Sequence, residues 1–308
     1  MGRPALAATL LGAALALGPG PAPAVRAAEP SPLLLIRVDD IGMSHTVNTA
    51  LRRLIETGLP FSASVMVACP WFLEAAEILR DQPHASVGIH LTLNSEWQHY
   101  KWGPVLGASR VPSLVDANGH FHTSGADFAA ASIDLDEVRA ELRAQIERAQ
   151  RAGLEIDYLD YHMLTAVSTP ELRGLVEDLA REYDLGLSRY FGERSASLWD
   201  VAPEKKLSTL LDVVGRFDAN RPNLLVIHPG LETPEMKALV DLNNPADPYR
   251  VAAHRQAELD ALLSPAVSKA LAGRGIRLAT YAELIASKGL DSMRRPATAG
   301  HSMIVSED

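Results

Sequence analysis

The stretch LLLIRVDDIG, residues 33–42, decides the predicted fold of this chain. Its apolar, branched residues form a short, bounded run, which is typical of a buried strand. The run ends at two adjacent carboxylates, Asp39 and Asp40, which are costly to bury unless a positive charge meets them. A divalent cation is one candidate, because carboxylates and imidazoles suit Mg²⁺, Mn²⁺, Ni²⁺ or Zn²⁺. The alternative, which a lone Asp-Asp pair would favour, is a solvated turn that caps the next helix.

The composition is that of a globular protein. The chain has 308 residues, of which 47% are hydrophobic and 22% charged, and this fits one large α/β domain. The net charge is -9 and no basic run occurs, so nucleic acid is a poor candidate partner. A single cysteine, Cys69, excludes an internal disulfide.

Residues 1–27 have the pattern of a secretory signal peptide. Arg3 supplies a positive start, and residues 5–17 form an apolar segment that is too short for a usual membrane span. We therefore expect a cleaved, periplasmic or secreted protein with no stable membrane span; the alternatives are an uncleaved anchor or an Ala/Pro-rich arm. The folded domain is predicted at residues 28–286, and residues 287–308 are predicted to be a mobile polar tail.

Strand and helix patterns alternate along this domain. Such alternation implies parallel strands, arranged either as a barrel or as a doubly wound sheet. No glycine-rich phosphate loop follows the first strand, so a nucleotide-binding fold has no support. Residues 96–132 show no clear periodicity. The predicted strands are residues 33–40, 61–68, 85–93, 156–161, 185–189, 224–227 and 276–279.

Acids and histidines occur at the ends of four predicted strands. They are Asp39 with Asp40, then His90, then Asp160 with His162, and finally His228. A single histidine at a strand end is more often a hydrogen-bonded structural residue than a ligand. The carboxyl ends of the strands in a parallel barrel converge on one face, however, where active sites lie. The whole set therefore favours a metal site.

One aspartate with two histidines can form a facial triad that leaves coordination positions open for water and a substrate oxygen. A cation held in this way would lower the pKa of the water and polarise a carbonyl group. A neighbouring carboxylate could act as the general base, and a histidine on the opposite side could protonate the leaving group. The pattern therefore predicts hydrolysis of an amide or an ester.

The order of the motifs resembles that of the YdjC-like carbohydrate deacetylases, which include chitooligosaccharide deacetylases and hopanoid-associated deacetylases. The resemblance covers residues 33–284. It implies an α/β fold, here expected to be a single-domain, irregular TIM-like (β/α) barrel with about seven parallel strands. The motifs are VDDIG at 38–42 with Asn48, GIHLTL at 88–93, VPSLVD at 111–116 with Gly119 and Phe121, DYH at 160–162, and IHPG at 227–230.

The same resemblance implies an activity and a role for each site residue. Relatives bind a divalent metal and remove acetyl groups from N-acetylated sugars, so we expect one Mg²⁺ or Zn²⁺ and a sugar or oligosaccharide substrate. The implied metal ligands are Asp40, His90 and His162. The implied catalytic groups are Asp39 as the base, His228 as the acid or oxyanion partner, and Arg189 as a group that orients the base or the substrate.

Two features depart from the family pattern. Relatives often have a second histidine where this chain has Leu164, so its substrate specificity can differ, and the signal peptide distinguishes it from cytoplasmic members. The aromatic residues of loop 97–102 would either stack on a sugar or pack the loop down.

Several other functions are compatible with the residues. One is a polysaccharide deacetylase of the broader Asp-Asp type, although its usual His-x-x-x-His pair is missing here. Others are a metal-dependent hydrolase of another amide or ester, a secreted non-catalytic sugar-binding barrel, and a structural metal protein. A three-ligand set with open positions favours catalysis over a structural metal.

Overall fold

The computed structural model describes residues 1–2 and 31–296. Eight strands form one sheet, and every pair of neighbouring strands is parallel. The strands are β1 (Leu33–Ile41), β2 (Phe61–Val65), β3 (Ala85–Leu91), β4 (Tyr158–Tyr161), β5 (Gly186–Leu187), β6 (Arg194–Ser197), β7 (Asn223–Ile227) and β8 (Arg277–Ala279).

Helices connect these strands, as parallel pairing requires. They are α1 (His45–Ile55), α2 (Phe72–Leu79), α3 (Gly125–Ala130), α4 (Leu135–Arg151), α5 (Pro170–Glu182), α6 (Lys206–Gly215), α7 (Pro234–Lys237), α8 (Val251–Leu262), α9 (Pro265–Gly273) and α10 (Tyr281–Lys288). Short 3-10 turns lie at Pro112–Leu114, His162–Val167, Pro203–Lys205 and Leu290–Ser292. Among the described helices, none combines the length and apolar character needed to cross a membrane.

The sheet curls into an irregular, open barrel, which confirms the predicted fold class. Its strand order is β5-β4-β3-β2-β1-β7-β6, and β8 pairs with the first residues of β1. Within the described part of the chain, β5 and β6 are the two edges and do not pair with each other. β1 lies inside this order, between β2 and β7, so its carboxyl end has strands on both sides.

The side chains of β1 alternate between two environments. Leu34, Ile36 and Val38 belong to the large hydrophobic cluster, whereas Leu35 belongs to a second, smaller cluster with Tyr158 and other residues. Period-two alternation therefore places Arg37 and Asp39 on the same face as Leu35. This face has an apolar layer at the start of β1 and a charged layer at its end.

Most predicted elements are present, with shifted ends. The seven predicted strands correspond to β1–β5, β7 and β8, whereas β6 was missed because its sequence, RSAS, has no apolar run. The sequence 96–132 contains α3 and isolated bridges rather than a regular unit. Thr280 caps α10 through a capping box.

Two terminal predictions concern residues that are largely outside the described ranges. Beyond Met1 and Gly2, the predicted signal peptide falls outside them, as do residues 297–308 of the predicted tail. Ser287 is still part of α10, and Arg295 pairs with Glu177 at 2.5 Å, so the first residues of that segment contact the domain.

Gly88, in the GIHLTL motif, leaves space for an aromatic ring. It pairs with Tyr158 across β3 and β4, and a Cβ at this position would lie 2.3–2.6 Å from three atoms of the Tyr158 ring. The hydroxyl of Tyr158 reaches over the glycine to Ser64 Oγ, 2.8 Å away on β2. A ring laid over a strand glycine packs the sheet where a side chain is missing.

We expect Gly88→Ala to lower the free energy of unfolding by about 1–3 kcal/mol, because the added methyl group overpacks a buried ring. Urea unfolding measures this quantity. The control is Gly174→Ala in α5, where a Cβ would meet no described atom within 4 Å. We expect the control to stabilise the protein by about 0.4–1 kcal/mol. Equal effects of the two substitutions would contradict the packing role of Gly88.

Candidate functional site

The chain turns at Asp40, and this brings two successive carboxylates to one cavity. Asp40 has a left-handed backbone with φ 65°, and the pairing of β1 with β2 shifts register between Val38 and Ile41. The turn is held by Asn48, whose side-chain oxygen accepts from the backbone N–H of Gly42 at 2.9 Å. A regular strand would send Asp39 and Asp40 to opposite faces, whereas here both line the same cavity.

Asp40, His90 and His162 form a tight triangle of ligand atoms. Asp40 Oδ1 lies 3.4 Å from His90 Nε2 and 3.3 Å from His162 Nδ1, and the two nitrogens are 3.3 Å apart. Ligand atoms bound tetrahedrally at about 2.0–2.1 Å from Zn²⁺ lie about 3.3–3.4 Å apart. Within the described residues, Asp40 Oδ1 is buried and has no hydrogen-bond partner. These three residues therefore fit a divalent cation.

Each histidine of the triangle contacts a second carboxylate through its other nitrogen. His90 Nδ1 lies 3.0 Å from Asp160 Oδ1, and His162 Nε2 lies 2.9 Å from Glu96 Oε2. Histidines that bind metals commonly have such a partner, which fixes the tautomer and the ring orientation. Glu96 was missed in the sequence because it begins the irregular segment 96–132.

Nearby carboxylates raise the pKa values of both imidazoles in the triangle. Burial would lower the pKa of His90, but Asp160 and Asp39 outweigh it and raise the pKa to about 10. Burial acts in the same direction on His162, and Glu96 and Asp40 raise its pKa to about 9. Metal binding needs neutral imidazoles, so a bound cation would have to displace protons from these rings.

Asp39 is held by a bidentate ion pair with Arg37. Arg37 Nε donates to Asp39 Oδ1 at 2.7 Å, and Nη2 donates to Oδ2 at 2.6 Å. Burial would raise the pKa of Asp39, but the charge of Arg37 and the neighbouring His90 and His228 lower it to about 2. Asp39 is therefore ionised at neutral pH and fixed in orientation. The sequence held a signal for Arg37, since it lies two residues before Asp39 on the same strand face.

His228 lines the same cavity and faces Asp39. Its Nε2 lies 3.9 Å from Asp39 Oδ2, and its Nδ1 lies 3.5 Å from Glu258 Oε2. The backbone N–H of His228 also donates to Glu258 Oε2 at 2.6 Å. The ring packs edge-on against Trp199, with centroids 5.1 Å apart. A single carboxylate thus contacts both the backbone and the ring of the predicted acid.

Glu258 is neutralised by a buried lysine. Lys206 Nζ lies 2.6 Å from Glu258 Oε1, and both side chains are fully inaccessible to solvent. Burial would raise the pKa of Glu258, but Lys206 and His228 lower it to about 2. Neither residue was predicted from the sequence, because both lie on helices and carry charges where apolar residues are expected.

The second oxygen of Asp40 meets another buried cation. Arg255 Nη2 lies 2.6 Å from Asp40 Oδ2. Burial would raise the pKa of Asp40, but the charge of Arg255 and the two neighbouring histidines hold this pKa well below the ordinary value. Arg255 was also missed in the sequence.

Arg189 lines the cavity, which has a volume of about 410 Å³. Its backbone is left-handed, with φ 73°, and its N–H donates to Glu193 Oε1 at 2.9 Å. Its buried Nε has no hydrogen-bond partner among the described residues. Met163 and Leu164 line the same cavity, and both are left-handed, with φ 50° and 62°.

The rings of loop 97–102 pack the loop down. Trp97 Nε1 donates to Met43 Sδ at 3.2 Å, and Trp102 Nε1 donates to the Asn94 carbonyl at 2.7 Å. Both rings are buried, although Trp97 also lines the cavity. Trp102 therefore packs the loop down, as one of the two predicted alternatives has it. The half-buried Trp199 also lines the cavity.

Comparisons with known proteins agree on one family. The family model for the YdjC-like protein matches residues 33–273. A carbohydrate deacetylase of Enterococcus faecalis is 33% identical over 156 residues, which is 50% of this chain and 57% of that protein. A carbohydrate deacetylase of Geobacillus stearothermophilus is 28% identical over 260 residues, which is 81% of this chain and 96% of that protein. The chain thus matches little more than half of the first relative's length.

A solved structure has the same fold. It comes from Enterococcus faecalis V583 and is described as a cellobiose-phosphate cleavage protein. It is 26% identical, has a TM-score of 0.64, and covers 82% of this chain and 99% of its own.

We expect Lys206→Met to lower the free energy of unfolding by about 3–5 kcal/mol at pH 7, because it leaves the Glu258 carboxylate buried without its partner. The pKa of Glu258 is depressed from 4.5 to about 2 in the folded protein. Its ionisation therefore stabilises the fold above about pH 4.5, and this stabilisation is lost as the pH falls through about 2. The difference in the free energy of unfolding between wild type and Lys206→Met should therefore become smaller at acidic pH.

Urea unfolding between pH 7 and pH 2 measures both effects. The control is Lys205→Met, which changes the exposed neighbour of Lys206 and should alter stability by no more than about 0.5 kcal/mol. A small loss for Lys206→Met, or one that does not depend on pH, would show that the buried pair is not what stabilises this region.

Proposed function

This chain belongs to the YdjC-like protein family, and on that premise we propose that it is a metal-dependent enzyme that removes acetyl groups from N-acetylated sugars. The observation that carries the proposal is the triangle of Asp40, His90 and His162 directly beside the ionised Asp39 in one cavity. A sugar-binding module would need neither a fixed carboxylate base nor an open set of metal ligands.

The triangle would hold one divalent ion, Mg²⁺ or Zn²⁺. The donor set of two imidazoles and one carboxylate is suited to Zn²⁺ and other transition metals, and Mg²⁺ prefers oxygen ligands. Such an ion would polarise the acetyl carbonyl and acidify a water molecule. Asp160 and Glu96 would fix the two imidazole rings through their outer nitrogens.

The residues around the triangle supply the proton transfers. Asp39 accepts a proton from the attacking water, and Arg37 keeps both of its oxygens in place. His228, placed by Glu258, donates a proton to the sugar nitrogen as the C–N bond breaks. The products are acetate and a free amino sugar, so atoms and charge balance for a hydrolysis.

Arg189 is assigned to the substrate rather than to the base. Arg37 already occupies both oxygens of Asp39, and Arg189 Nε is buried at the cavity without a hydrogen-bond partner within residues 31–296. Leu164, at the position where the family resemblance implies a histidine, presents an apolar side chain to the same cavity. A substrate group beside it would lack a polar contact that relatives can make.

Export is part of the proposal. The pattern of residues 1–27 supports a mature enzyme in the periplasm or outside the cell, where acetylated glycans are available.

The metal assignment predicts that His90→Ala and His162→Ala each lose the bound ion while the protein stays folded. Each substitution removes one of three ligands from a site that already has open positions. Metal content after dialysis, measured by mass spectrometry, and circular dichroism check both parts. The exposed His84→Ala is the matched control and should retain the ion. Full occupancy in both variants would refute this ligand set.

Acetate release tests the activity itself. The substrates are N-acetylated mono- and oligosaccharides, compared with O-acetylated sugars and simple acetanilides. We expect release from the N-acetylated sugars, and removal of the metal by a chelator should abolish it. Release only from the esters or the anilides would favour the alternative, a metal-dependent hydrolase of another ester or amide.

Asp39→Asn should keep the metal and reduce turnover by about two to four orders of magnitude, the usual contribution of a general base. The change preserves the shape of the side chain and removes the proton acceptor. Asp81→Asn, at an exposed position, is the control and should leave turnover unchanged. Loss of metal in Asp39→Asn would mean that Asp39, not Asp40, is the ligand, and normal turnover would mean that another group is the base.

A further inference from the structure

Arg255 is one of the most completely buried charges of the described chain. It lies on α8, its residue is 1% exposed, and its Nη2 is 2.6 Å from Asp40 Oδ2. Within residues 31–296, its Nε and Nη1 have no hydrogen-bond partners. Nη2 also contacts Met43 Sδ at 3.9 Å. Of the five N–H donors of the guanidinium, those of Nη2 thus make its one carboxylate contact, to a single oxygen of Asp40.

The guanidinium is held in place by packing. Its central carbon lies 5.6 Å from the ring centroid of Trp97 and 5.4 Å from that of Trp199. Both distances are within the range of cation–π attraction. Its aliphatic stem lies against Gly230, where a Cβ would come within 3.0 Å of Arg255 Cβ and 3.2 Å of Cδ. The glycine of the IHPG motif is therefore required for the position of Arg255.

The two oxygens of Asp40 have separate surroundings. Oδ2 meets Arg255, whereas Oδ1 meets only His90 and His162 and is the buried oxygen without a hydrogen bond among the described residues. An aspartate can bind a cation through one oxygen or through both. Two-oxygen binding would use a coordination position that a catalytic site leaves open for water and substrate.

We propose that Arg255 is a positioning residue that occupies Asp40 Oδ2, so that the metal ion is bound through Oδ1 alone and keeps a position open. This role rests on the proposed metal binding. It differs from simple charge compensation, because it concerns which atoms of Asp40 contact the ion. Any neutral residue at this position would release Oδ2 to turn towards the cation.

The test uses Co²⁺ as a spectroscopic probe in the full chain. The visible absorption of Co²⁺ weakens as its coordination number rises. We expect Arg255→Met to bind Co²⁺ with a weaker visible band than wild type, because Oδ2 joins the ion. Arg255→Lys keeps a positive charge for Oδ2 and should restore the wild-type spectrum. Arg139→Met, which breaks an exposed ion pair with Asp178, is the matched control and should not change it.

Activity is a secondary readout. Removing a partner of a metal ligand typically costs about 10–100-fold in activity or metal affinity. For Arg255→Met we expect this loss in turnover rather than in affinity, so Co²⁺ should still bind. An unchanged spectrum in Arg255→Met would overturn the proposal. A spectrum that changes equally in the Met and Lys variants would also overturn it, since packing between the rings would then be what sets the site.

A measurement on wild type covers the case in which Arg255→Met does not fold. X-ray absorption or a crystal structure of the Co²⁺-loaded protein should show a single oxygen of Asp40 on the ion. Two bound oxygens would overturn the role of Arg255 and leave the proposed function intact. If wild type takes up no Co²⁺, Zn²⁺ or Mg²⁺, the proposed metal dependence fails, and this role fails with it.

Discussion

The site depends on the cost of burying carboxylates away from water. Five of the acidic side chains that lie buried around the carboxyl ends of β1, β3, β4 and β7 contact a positively charged or protonatable group. They are Asp39, Asp40, Glu96, Asp160 and Glu258. Arg37, Arg255 and Lys206 supply permanent charge, and the imidazoles of His90 and His162 complete the set. In the described chain, Asp40 Oδ1 faces both imidazoles of the triangle and has no hydrogen-bond partner.

The residues at strand ends could be predicted from the sequence, and their partners could not. Asp39, Asp40, His90, His162 and His228 each follow an apolar run, and parallel strands bring such positions to one face. The turn that brings the two aspartates to one cavity lies at Asp40 itself, whose backbone is left-handed. The seven recognised strands were those with apolar runs, and β6 was missed because it has none.

The missing partners come from helices and irregular segments whose approach to the sheet is set by tertiary packing. Glu96 follows β3 without any periodic pattern, and Lys206 lies at the start of a helix that was not predicted. Arg255 and Glu258 of α8 are both buried, so this helix has no clear polar face from which their burial could be read. Only Arg37 carried a usable signal, through its alternation with Asp39.

α8 also links the two sides of the site, so local unfolding of this helix would disrupt both. Arg255 and Glu258 lie three residues apart on this one helix, and the first contacts Asp40 while the second contacts His228. Segments of a protein can open locally at a lower free energy than global unfolding. An opening of α8 would release the metal side and the acid side of the cavity in the same event. Metal binding and proton donation would then be lost together, as one cooperative unit, while the rest of the barrel remained folded.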